Sequence, residues 1–163
     1  MAKNSKNAPA KYLVCVDSKD YSRMALRFAC SVAKDSGCLV DLIHVIEPAD
    51  FQTFGSVANK ILEEKRQEAE QLLQDYAEEA QKYAGITPSI ILKEGNIEDE
   101  VVSAIEEDHS INLVVLGTSP ESKNRRKLLP ELVAHIGETI SVPVMIVPDC
   151  LTEHQIKQLA SKK

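Results

Sequence analysis

An aspartate, a glycine followed by two hydroxyls, and a basic run are the groups in this chain whose types and placement suit ligand chemistry. Asp17 ends the apolar run of residues 12–16, and Gly117, Thr118 and Ser119 follow the apolar run of residues 111–116. A carboxylate accepts hydrogen bonds from hydroxyl or amino groups, and a glycine lets a ligand or another backbone come close. Lys123, Arg125, Arg126 and Lys127 crowd one loop and can hold a phosphate through their side chains. A solvated loop, or a salt bridge to Glu131, accounts for the same run equally well. Catalysis has less to stand on. The chain has no Gly-x-Ser-x-Gly elbow, no HExxH and no cysteine with a convergent histidine, and Ser18, Thr118 and Ser119 suit capping and turn roles. His44 reads as a core or rim histidine with a satisfied hydrogen bond, not a metal ligand.

The elements that must position these groups follow from periodicity. Residues 12–16 read as a strand, and the helix after it, over residues 20–35, carries Ala25, Phe28, Ala29 and Val32 at spacings of three and four before Gly37. Residues 39–46 form a second strand stopped by Pro48, and residues 51–56 a loop. The long helix of residues 57–83 has an apolar face and a charged, solvated one, and Gly85 closes it. A third strand over residues 88–92 precedes a helix with Ile97, Val101, Ala104 and Ile105. The strand of residues 111–116 precedes a helix that starts at Pro130 and bears Leu129, Leu132, Val133 and Ile136, and residues 142–147 make the fifth strand. Strands alternating with helices call for right-handed crossovers. The expected fold is therefore α/β, a five-stranded parallel doubly wound sheet of order 3-2-1-4-5 with helices on both faces. Ligands bind such sheets beyond the carboxyl ends of the strands, which brings Asp17, residues 45–47 and residues 117–119 together as candidates.

Composition bounds the partners. With 163 residues, 44% of them hydrophobic and 27% charged, the chain suits one ordinary globular domain. Its formal net charge of −6 lacks the basic field of a nucleic-acid binder. No run approaches the roughly 18 apolar residues of a membrane span, and the polar first ten residues read as a flexible tail, so a cytoplasmic protein is expected. Cys15, Cys30, Cys38 and Cys150 show no CxxC pair and read as reduced thiols. Residues 149–163 form an extension in which Thr152 and Glu153 can open a short helix with Ile156 and Leu159 on one face, either over a dimer seam or fraying as a terminus.

Several blocks in order, KYLVCVDSKDYSRMAL, LIHVIEP, KEGNIEDEVVSAIEEDHSINLVVLGT and SVPVMIVP, resemble the universal stress protein family over residues 11–148. The resemblance implies a homodimer through the last strand, residues 142–147 with Val142, Val144, Ile146 and Val147, and a pocket for ATP or AMP. It puts Asp17, Val45, Leu116, Gly117 and Thr118 on the adenine and ribose side and leaves Arg125 and Arg126 for the phosphates. The family's phosphate pattern is a glycine, two residues, a glycine, nine residues, then a glycine followed by serine or threonine. Here Gly117 keeps the first position, while Pro120, Pro130 and Glu131 replace the others. Proline removes backbone donors and a carboxylate opposes phosphate; two unit charges about 4 Å apart interact by roughly 4 kcal/mol at an effective dielectric near 20. The expectation is a stress-associated regulatory or signalling protein that requires no cofactor and has weak or absent ATP binding. A nucleotide switch using the basic loop and a nucleotide hydrolase stay open as alternatives.

Overall fold

Strands buried on both faces need helices above and below them. The computed structural model, which describes residues 8–17, 20–48, 55–122 and 124–161, has this layering. Its elements run β1 (Lys11–Cys15), α1 (Tyr21–Ser36), β2 (Leu39–Ile46), α2 (Ser56–Ala84), β3 (Ser89–Glu94), α3 (Ile97–Glu107), β4 (Ile111–Thr118), a π-helical turn (Asn124–Leu128), α4 (Leu129–His135), β5 (Val144–Pro148) and α5 (Glu153–Ala160). The five strands are parallel in the order β3-β2-β1-β4-β5, as expected. Tyr12 and Val14 of β1 face a core shared with Leu26 of α1 and Leu73 of α2, while Leu13 and Cys15 face a second core with Val101 of α3 and Leu132 of α4. This is the two-residue alternation of a strand covered on both sides.

Local chemistry sets the helix ends. Gly37 closes α1 in the left-handed region at φ 69° and its N–H donates to the Ala33 carbonyl. Asn96 opens α3 by accepting from the amides of Glu98 and Asp99. Residues 1–7, 18, 19, 49–54, 123, 162 and 163 lie outside the described residues, and with them the expectations for Ser18, for Lys123 and for most of the loop after β2.

Several sequence expectations are corrected, among them the fifth strand, which runs Val144–Pro148 and not over residues 142–147. The third strand is shifted to Ser89–Glu94, because its register on β2 pairs Asp41 with Ser89 and Ile46 with Glu94. The fourth helix begins at Leu129, continuing the π-helical turn, and Pro130 sits in its first turn. Val133 and Ile136 do not face the core: they are 60% and 43% exposed. The helix stops at His135, whose carbonyl receives the amides of Glu138, Thr139 and Ile140, and buried Ile140 takes the core position instead. Leu159 is likewise exposed, whereas Ile156 is fully buried. The extension's helix α5, Glu153–Ala160, packs on α1.

At the amino ends of the strands, Lys11 Nζ lies 2.8 Å from Asp108 Oδ2 and 3.6 Å from Asp41 Oδ2. The hydrogen bond from Lys11, helped by Ser110, brings the Asp108 carboxyl from its ordinary 3.8 down to about 2. Burial pushes Asp41 the other way, above the ordinary range. A depressed carboxyl contributes stability that is present above its unfolded value and lost as pH falls through its folded value. The stability gap between wild type and Asp108→Asn should therefore be full at neutral pH and close between about pH 4 and pH 2. Urea titrations at pH 7, 4 and 2 measure it, and an unchanged gap at pH 2 contradicts the assignment.

Candidate functional site

The carboxyl ends of β1, β2 and β4 lie side by side, since Cys15 pairs with Ile43 on one side and Leu116 on the other. Asp17 emerges two residues beyond that rung, its N–H donating to Ser22 Oγ at 3.0 Å and its Oδ2 receiving the Tyr21 hydroxyl at 2.9 Å. The first turn of α1 therefore fixes the aspartate. Val45 and Leu116 are buried in the core beneath α3 and α4. His44 Nδ1 lies 2.8 Å from the Val16 carbonyl, the satisfied histidine expected from sequence. Among the described residues no group of three or more metal-ligating side chains occurs.

Gly117 is packed against α1: a Cβ there would stand 2.6 Å from the Tyr21 carbonyl oxygen and 2.9 Å from Ser22 Cα. Beyond it the chain makes a turn of its own. The Ser122 amide donates to the Ser119 carbonyl at 3.0 Å and the Glu121 amide to Ser119 Oγ at 3.3 Å, with Pro120 at the second turn position, where its fixed φ fits. The amides that follow Pro120 are thus engaged within the loop. Thr118 Oγ1 and Ser122 Oγ are buried with no hydrogen-bond partner among the described residues, the state in which an ordered water or a ligand atom finds a place.

The basic run divides. Lys127 Nζ lies 3.5 Å from Glu47 Oε2, and Glu47 also accepts from the Ile97 amide at 3.4 Å, so this carboxylate ties the π-helical turn to the start of α3. Arg125 and Arg126 are exposed and, among the described residues, form no ion pair. Glu131 pairs with none of them. It lies 3.4 Å from His135 Nδ1 with a side chain 42% exposed, so water screens its charge well below the sequence-based figure. Sequence reasoning placed Glu47 at this site but missed Tyr21 and Ser22 as partners.

A model of the universal stress protein family matches residues 10–148. The chain belongs to the universal stress protein family. A search of curated proteins finds no match. Solved universal stress proteins share its fold: one from Burkholderia pseudomallei is 21% identical with a TM-score of 0.67, covering 85% of this chain and 96% of that one. One from Arabidopsis thaliana with AMP bound is 16% identical with a TM-score of 0.61, covering 86% and 92%. One from Archaeoglobus fulgidus in complex with dAMP is 19% identical with a TM-score of 0.62, covering 85% and 97%. Identities this low carry the family's fold over, while the ligands remain those of the relatives.

Proposed function

We propose that this chain is a stress-associated regulatory or signalling protein of the cytoplasm, non-catalytic and dimeric through β5, whose adenine-nucleotide site holds a triphosphate weakly or not at all. The observation that carries this reading is the closed turn of residues 119–122, where the Glu121 and Ser122 amides donate to Ser119 and are not offered to an anion. A polyphosphate is held by free backbone donors at a helix start, whereas α4 starts as the continuation of the π-helical turn and Pro130 carries no N–H. The relatives that hold AMP and dAMP support a nucleoside monophosphate as the ligand class; the family resemblance puts Asp17, Val45 and Leu116 on its base and ribose side. The lack of catalytic motifs in the sequence supports the non-catalytic part. For the dimer, β5 is an edge strand without a charged residue, with Met145 and Ile146 exposed, whereas the opposite edge, β3, carries Lys93 and Glu94. A bare apolar edge invites pairing with a second chain, and charges on an edge discourage it.

A second reading, a nucleotide switch, has Arg125 and Arg126 in its favour, since both are exposed cations with no partner among the described residues. Titration calorimetry with ATP, AMP and cyclic AMP separates the two. The first reading expects affinity that does not rise with phosphate number, and expects Pro120→Gly/Pro130→Gly/Glu131→Ser to tighten ATP by about tenfold or more, the effect of some 1.4 kcal/mol. Low-micromolar ATP binding that the triple variant leaves unchanged, and that Arg125→Ala/Arg126→Ala abolishes, favours the switch.

A further inference from the structure

Asp17 stands just past the end of β1, and two residues of the first turn of α1 hold it there. Its amide donates to Ser22 Oγ at 3.0 Å, which fixes the backbone, and the Tyr21 hydroxyl donates to its Oδ2 at 2.9 Å, which fixes the plane of the carboxylate. An aspartate turns about χ2 in a broad, two-fold well, so this contact selects its orientation. Tyr21 is itself fixed. It is 7% exposed, and its carbonyl oxygen lies so near Gly117 of β4 that a Cβ there would stand 2.6 Å away. The sheet thus holds the tyrosine by its backbone, and the tyrosine holds the carboxylate by its phenol.

A phenol that donates to a carboxylate makes a charge-assisted hydrogen bond, stronger than one to a neutral acceptor. That bond takes one of about four lone-pair sites of an ionised carboxylate. A side chain ordered before the ligand arrives loses less conformational freedom on binding than one the ligand must order. We propose that Tyr21 is a positioning residue of the candidate nucleotide site, its hydroxyl turning the Asp17 carboxylate so that it accepts from a donor of the bound nucleoside, a ribose hydroxyl or the amino group of the base. This rests on the reading of a nucleoside monophosphate as the ligand. Tyr21 is outside the set of residues that the family resemblance puts at the pocket.

Titration calorimetry of the full chain and of Tyr21→Phe tests it with AMP, with the AMP analogue lacking both ribose hydroxyls, and with inosine monophosphate, which carries an oxygen in place of the amino group. Phenylalanine keeps the ring and removes only the hydroxyl. Tyr21→Phe is expected to weaken AMP by about tenfold, the scale of a hydrogen bond to a charged group, and to leave unchanged the affinity of the analogue that lacks the donor Asp17 accepts. A spared ribose analogue assigns that donor to the sugar, and spared inosine monophosphate assigns it to the base. Asp17→Ala, which removes the acceptor and keeps the phenol, should give the same pattern across the three ligands. An equal loss for all three, as a general loosening of the site would give, overturns the inference, and so does no loss at all; both leave the nucleotide reading standing. A wild type that binds none of the three overturns that reading and the inference with it.

Discussion

Gly117→Ala is expected to destabilise the protein by about 3 kcal/mol, at the upper end of the usual cost of overpacking. The added methyl would stand 2.6 Å from the Tyr21 carbonyl oxygen and 2.9 Å from Ser22 Cα, and both obstacles are backbone. A flexible side chain can swing aside, but the first turn of α1 can yield only by moving the helix off β4. Gly117 is absent from the glycines with positive φ, so closeness and not dihedral freedom is what it supplies. The same approach keeps the Tyr21 hydroxyl on Asp17 Oδ2 and Ser22 Oγ on the Asp17 amide, which couples the packing to the candidate site. Urea unfolding should show a lower midpoint at unchanged slope. A role confined to phosphate approach forecasts the opposite pattern, an unchanged midpoint with weaker nucleotide binding, and that result would refute the packing assignment.

Gly117 shows how far the sequence reaches. Its position after an apolar strand, and the fold that follows from five such strands, are legible because burial on both faces leaves a long apolar signature and glycines mark the helix ends. Asp17, Val45 and Leu116 fall at neighbouring strand ends for the same reason. What one residue touches across space is not written in periodicity. Nothing adjacent to Gly117 indicates that Tyr21, almost a hundred positions away, closes over it. The basic run tells the same story: its side chains look alike in sequence, yet Lys127 is held by Glu47 while Arg125 and Arg126 face solvent. Helix periodicity also placed Ile136 on the fourth helix, because a seven-residue helix that ends at His135 is too short to distinguish from the turn that delivers Ile140 to the core.

Ile156→Ala should cost about 3 kcal/mol, a figure typical of emptying a well-packed aliphatic site. In sequence, Ile156 is one apolar residue in a polar terminal segment, the kind of place where chains fray. In the structure it is fully buried in the cluster that includes Phe28 and Leu73, at the centre of a helix opened by a reciprocal capping box between Thr152 and Gln155. Arg27 links Glu153 of α5 to Glu79 of α2 and lies 5.4 Å from the centre of the Tyr83 ring, so the helix is tied to two others by side chains as well as by its buried isoleucine. An element held this way unfolds with the domain. Thermal unfolding of Ile156→Ala followed at several wavelengths should remain a single transition at a lower midpoint, by about 6 to 12 °C for a chain of this size. Loss of α5 in a separate early transition, with the main midpoint unmoved, would show that the extension folds on a finished domain and contributes nothing to its core.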